Sequence, residues 1–158
     1  MSIASTNRPD SLSPARGRVL YAYDPWTHMA MFPGAMLHYA DLPGGEWGLT
    51  EFAPRVITLT HGLSAAEARS TLAHELVHLE RGPLPARAPR RVREVEETVC
   101  DTIAALRLIP AARLVTLGEQ IERHGELAVA AALEVDEFLV QAAARVSAAL
   151  RLPTLSAL

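Results

Sequence analysis

The sequence predicts an α+β protein: a small antiparallel three-stranded sheet followed by a mostly helical second half. Three observations carry this. Between Met36 and Thr60, three short runs containing β-branched or aromatic residues are separated by Pro and Gly, which is how short strands joined by turns read. From Ser64 onward, apolar residues recur at helical rather than alternating spacing. Helix start and stop signals punctuate that second half, from the Ser64-x-x-Glu67 capping box to Gly125.

Taken in order, residues 1–18 are rich in Ser, Pro, Asn and Arg and read as a flexible tail. Residues 19–150 read as one domain and 151–158 as a loose tail. Val19 to Tyr23 is a short apolar run broken by Asp24-Pro25. Trp26, Met29, Met31 and Phe32 follow, as a short helix or turn that covers the core and ends at Pro33-Gly34. Met36 to Leu42, Trp47 to Phe52 and Arg55 to Thr60 are the three strands, the last the clearest, with near alternation. The pattern does not say which strand lies at the edge.

The capping box opens a helix that Gly82-Pro83 stops. Ala65, Ala68, Leu72, Leu76 and Leu79 form its apolar stripe, nearly opposite His74 and His78. Such a helix buries one face and turns the other to a cleft. The linker from Arg81 to Arg93 combines Pro83, Pro85 and Pro89 with five Arg and reads as a stiffened, solvated loop near one end of that cleft. A second helix runs from about Val92 to Leu108. Pro110 starts another, Ala111 to His124, and Gly125 ends it. Glu126–Leu133 and Asp136–Leu150 read as a helical hairpin packed on the core. The run Ala130 to Asp136 faintly echoes a helix-turn-helix, but its second helix begins Asp136-Glu137 and offers no early side chain for base edges.

Composition narrows the function classes. The 158 residues are 49% apolar and 21% charged, ordinary for a soluble globule of one-domain length. A net charge of −3 gives no electrostatic case for nucleic acid or an anionic membrane. Every basic residue is Arg, and no aromatic side chains interleave with those of the linker, so base stacking is not provided for. Cys100 stands alone, which excludes an internal disulfide and fits a buried packing residue in a reducing compartment. The Ala-rich stretch from Leu127 to Leu150 is broken by Glu134, Asp136, Glu137 and Arg145, against a membrane span. No secretory signal is evident, and a cytoplasmic protein is expected.

The chemistry-bearing stretch is His74-Glu75-Leu76-Val77-His78. On a helix, two His four residues apart share a face and can converge on one zinc ion. Glu75, roughly 100° round the helix, is placed to take a proton from water activated there. A catalytic zinc usually has three protein ligands. The second helix offers Glu97-x-x-x-Asp101, beginning nineteen residues after His78, with Glu94 and Glu96 as rival acids. No second oxyanion group is identifiable; His61, then Tyr39 and His38, are the nearest candidates.

Thr71 to His78, then Glu97-x-x-x-Asp101-x-x-Ala104-Ala105-x-x-Leu108-Ile109-Pro110, resembles the ImmA/IrrE family of metallopeptidases. Asp24-Pro25-Trp26 and Asp41-Leu42-Pro43-Gly44 are similar to short phage-associated members, and the match spans about residues 20–150. Cys100 stands where Ala is usual, and the family's DNA-binding companion domain is not evident. The resemblance implies a zincin-like helix beside the sheet and one Zn²⁺ per chain held by His74, His78 and Glu97. It implies Glu75 as the catalytic base and Asp101 as the residue orienting His74. It also implies a protein substrate, a helix-turn-helix repressor of a prophage, mobile element or stress regulon. The alternative is a metal-binding interaction protein, an anti-repressor or toxin–antitoxin component, that binds without cutting.

Overall fold

The most apolar strand takes the middle of the sheet, and the rest of the arrangement follows from it. The computed structural model describes residues 23–151. The expected N-terminal tail, residues 152–158 of the expected C-terminal one and most of the Val19–Tyr23 run lie outside them; Arg151 ends the last helix. Strands β1 (Met36–Tyr39), β2 (Gly48–Glu51) and β3 (Val56–Leu59) stand in the order β1–β3–β2. All four residues of β3 are buried, so its Val-Ile-Thr-Leu run sits where both flanks are hydrogen-bonded. β2 and β3 form an antiparallel hairpin, Gly48 opposite Leu59 and Glu51 opposite Val56. β1 pairs with β3 in parallel, Met36 opposite Val56 and Tyr39 opposite Leu59.

The sheet is therefore mixed, not wholly antiparallel as the sequence suggested. The chain reverses after β1 and again after β2, so β3 runs in the direction of β1. Inserting β3 between the other two makes one of its pairings parallel.

Ahead of the sheet lies α1 (Pro25–Met29). Its N-terminus is held by Asp24, whose carboxylate accepts from the amides of Trp26 and Thr27 at 3.3 and 3.2 Å. Met29 is buried against the sheet-side core, whereas Met31 is exposed.

Helix α2 (Ala65–Arg81) opens with the expected capping box: Ser64 N donates to Glu67 Oε2 and Glu67 N to Ser64 Oγ. It is buried on two sides, more than the single stripe predicted. Leu72, Leu76 and Leu79 pack with Ile57 and Leu59 of the sheet. Ala73 and Val77 belong to a second core with Cys100, Ala104, Leu139 and Val140. These two small side chains let neighbouring helices approach closely. The histidines occupy the strip left between the two cores.

That second core is built by α3 (Arg90–Leu108), α4 (Ala111–Leu114), α5 (Leu117–His124), α6 (Glu126–Leu133) and α7 (Glu137–Arg151). The expected helix from Ala111 to His124 is two pieces. The break falls at Val115-Thr116, a β-branched pair of low helix propensity. The Leu114 carbonyl freed there accepts the Ser147 hydroxyl of α7 at 2.6 Å. The α6–α7 hairpin is tied to α2 at its turn. Arg69 Nη1 donates to the Glu134 carbonyl at 2.9 Å, and the Asp136 amide donates to Ser70 Oγ at 2.8 Å. Among the described residues, no helix is long and apolar enough to cross a membrane.

Candidate metal centre and cleft

Helix α2 carries His74 and His78 one turn apart on its uncovered strip, and their Nε2 atoms lie 3.0 Å from each other. Their side chains are 13% and 14% exposed, enough to be reached but largely withdrawn from water. Helix α3 packs along α2 and brings Glu97 to the same point. Glu97 Oε2 is 3.2 Å from His74 Nε2 and 3.4 Å from His78 Nε2. The three donor atoms all lie within 4.8 Å of one another. Two imidazole nitrogens and one carboxylate oxygen are a donor set that suits zinc, with room for a further ligand. Of the rival acids, Glu94 pairs with Arg90 at 2.6 Å in solvent, and Glu96 pairs with Arg81. Glu97 alone meets both Nε2 atoms.

Behind His74, Asp101 Oδ1 lies 2.9 Å from Nδ1, at an angle short of a straight hydrogen bond. Burial works to lower the His74 pKa, but Asp101 and Glu97 more than offset it and push it up to about 9. Hydrogen bonds from the two imidazoles hold Glu97 far below the usual carboxylate range, against its partial burial. The two shifts are the two sides of one imidazolium–carboxylate pairing.

The Glu75 carboxylate lines the same cleft as this trio and meets Thr50 of β2. Burial raises its pKa, while a hydrogen bond from Thr50 and the nearby imidazoles pull it down. Thr50 Oγ1 lies 2.7 Å from Glu75 Oε2 and 3.1 Å from the Glu75 carbonyl, so its single proton serves two acceptors on one residue. Gly48, two residues earlier on β2, lets the strand come this close. A Cβ there would stand 2.6 Å from Thr71 Cγ2 and 2.7 Å from Glu75 Oε1.

A cleft of about 380 Å³ opens over these groups, with Gly48, Leu49 and Thr50 on one wall and Gly82, Leu84 and Arg93 on the other. β2 is an edge strand. The Thr60 amide donates to the Trp47 carbonyl, which makes residues 47, 49 and 51 the ones bonded to β3. The backbone groups of Gly48 and Thr50 therefore face the open edge. Arg87 and Arg91 of the linker remain exposed, so part of it is a solvated loop and part is cleft wall. His61 is exposed, and neither it nor His38 nor Tyr39 lines the cleft.

Cys100 is fully buried and its thiol is pushed up to about 12, chiefly by burial. It lies beside the back of His78, with Sγ 3.5 Å from Nδ1. Sequence reasoning missed this contact, and also Thr50 and Gly48. Each joins residues more than twenty positions apart, and no local spacing signals such a pair.

Over residues 30–146 the sequence matches the family described as the IrrE N-terminal-like domain, peptidase M78. No curated protein sequence matches the chain. The match covers both helices of the candidate site, all three strands and most of α7, so the chain belongs to the IrrE N-terminal-like family of metallopeptidases.

Proposed function

We propose that this chain is a zinc-dependent endopeptidase that cuts an extended segment of another protein. The observation carrying the reading is that the Nε2 atoms of His74 and His78 and Oε2 of Glu97 converge at the floor of a cleft that Glu75 and an open strand edge also line. Zinc held by those three side chains would supply Lewis-acid polarisation of the scissile carbonyl and acidify the attacking water. Asp101 keeps the His74 ring turned so that Nε2 faces the cleft. Gly48 and Thr50 offer free backbone donors and acceptors, so a substrate strand adds to β2 and its scissile bond is drawn alongside Glu75. Glu75, held on one oxygen by Thr50, takes a proton from the attacking water with the other and passes it to the leaving amine.

Recognition through backbone groups suits a loop or locally unfolded segment. A helix-turn-helix repressor is the substrate class that the family resemblance favours, with relief of repression as the consequence. The test is Glu75→Gln with a co-expressed candidate repressor. The variant is expected to keep zinc and substrate binding while cleavage falls below detection. Relief of repression by Glu75→Gln as complete as by the wild type would mean that binding, not proteolysis, is the mechanism.

A further inference from the structure

We propose that Cys100, backed by Glu96 and Arg81, is a positioning residue for His78: the sulfur holds the ring's Nδ1 and so keeps Nε2 turned toward His74 and Glu97. The inference rests on the metal-binding role proposed for His78. A histidine that offers its Nε2 lone pair to a cation carries its proton on Nδ1, and that N–H must find an acceptor. For His74 the carboxylate beside that atom is Asp101, with Oδ1 2.9 Å from Nδ1. For His78, the atom in that place is Cys100 Sγ, at 3.5 Å.

A thiol is a weak acceptor with one proton of its own to place. Its outlet is Glu96 Oε1, 3.8 Å away and one turn back on α3. Glu96 is fixed in turn by Arg81 of α2, whose Nε and Nη2 donate to Oε1 and Oε2 at 2.5 and 2.8 Å. The proton donors thus run in one direction, from His78 to sulfur and from sulfur to a carboxylate that Arg81 also serves. The chain is closed between two helices, since His78 and Arg81 lie on α2 and Glu96 and Cys100 on α3. Cys100 is fully buried and Glu96 nearly so, so little water competes for the weak sulfur contacts. A ring nitrogen of His78, Cys100 Sγ and a Glu96 oxygen lie within 4.8 Å of one another and are the rival arrangement of a second cation site. Against that rival, both Glu96 oxygens are already engaged by Arg81.

The experiment is competition for zinc between the protein and a chromogenic chelator, for wild type, Cys100→Ala, Cys100→Ser and Glu96→Gln. Thermal unfolding of each metal-free variant is followed in parallel. Cys100→Ala is expected to weaken zinc binding about 10-fold or more, as loss of a ligand's supporting contact does. Cys100→Ser, which restores a donor and acceptor, is expected to recover most of that loss. Glu96→Gln is expected to show a smaller loss that does not add to that of Cys100→Ala, because both act through one chain of contacts. Should Cys100→Ala fail to fold, Cys100→Val, which fills the space without an acceptor, carries the same test, and zinc affinity in it equal to that of Cys100→Ser would overturn the inference. Wild-type affinity in folded Cys100→Ala would overturn the inference. So would two metals per wild-type chain with a thiolate-to-cobalt absorption band when Co²⁺ replaces zinc. A wild type that holds no zinc at all would instead overturn the proposed function on which the inference stands.

Discussion

At the scale of single residues, the site depends on two close approaches, one polar and one steric. The steric one is Gly48. Any side chain there meets Thr71 and Glu75 at distances that real Cβ atoms do not show. Gly48→Ala must therefore displace either β2 or the Glu75 carboxylate. We expect kcat to fall roughly 10- to 100-fold, the cost of a misplacement on the order of 1 Å, with zinc affinity near that of the wild type because Gly48 touches none of the three candidate ligands. Equal losses in zinc binding and kcat would mean that the strand supports the whole site and not Glu75 in particular. The polar approach is that of Asp101 and Glu97 to His74. In the metal-free protein the folded pKa of about 9 lies above the ordinary value near 6.5. This group's stability contribution is fully present below pH ~6.5 and is lost as pH rises through about 9. Zinc binding must expel that proton, so zinc affinity is expected to rise across the same window. Proton release, followed calorimetrically in buffers of different ionisation enthalpy, checks this. Release that does not vary between pH 6.5 and 9 would place the raised pKa elsewhere.

At the scale of elements, α2 is the piece on which both halves close. Leu76 is fully buried between α2 and β3, on the helix face opposite the histidines. Leu76→Ala is expected to destabilise the fold by about 2–5 kcal/mol, read as a lower urea midpoint. A loss under about 1 kcal/mol would contradict the packing described. The elements themselves were legible where their causes are local. The capping box, the stop at Gly82 and the turn at Gly125 are short-range signals, and the helices fall where those signals put them. The His-Glu-x-x-His spacing is equally local, as is the Glu97–Asp101 pair on the next helix. Strand order was not legible, because Met36 pairs with Val56 across an intervening strand and the pattern within each run is the same either way. The second buried face of α2 was hidden for a related reason: Ala73 and Val77 are small, and an apolar stripe read from large side chains passes over them. Thr50 was invisible as a partner of Glu75 because only the close packing of β2 on α2 brings their atoms together.

At the scale of the molecule, the candidate metal lies where two cores meet. One core is sheet, α1 and one face of α2; the other is the neighbouring face of α2, carrying Ala73 and Val77, with α3 to α7. The three candidate ligands come from α2 and α3, and the His74 ring also meets Phe138 of α7 edge-on, with centroids 6.1 Å apart. An ion bound there ties together elements that unfolding would separate, so binding should stabilise the whole and not one helix. A ligand that binds only the folded state contributes about 2.7 kcal/mol at 100 times its Kd. For a domain of this length that is a rise of roughly 5–10 °C in Tm. The shift is expected to appear in a single transition, since α2 cannot leave one core without leaving the other. Glu75→Gln should retain the shift, and His78→Ala should lose it. Two transitions, with only one moved by zinc, would show that the cores unfold independently and that the site belongs to one of them. No shift in the wild type, in a protein that is folded and saturated with zinc, would remove the metal from the centre of this architecture and leave the cleft to be explained by its strand edge alone.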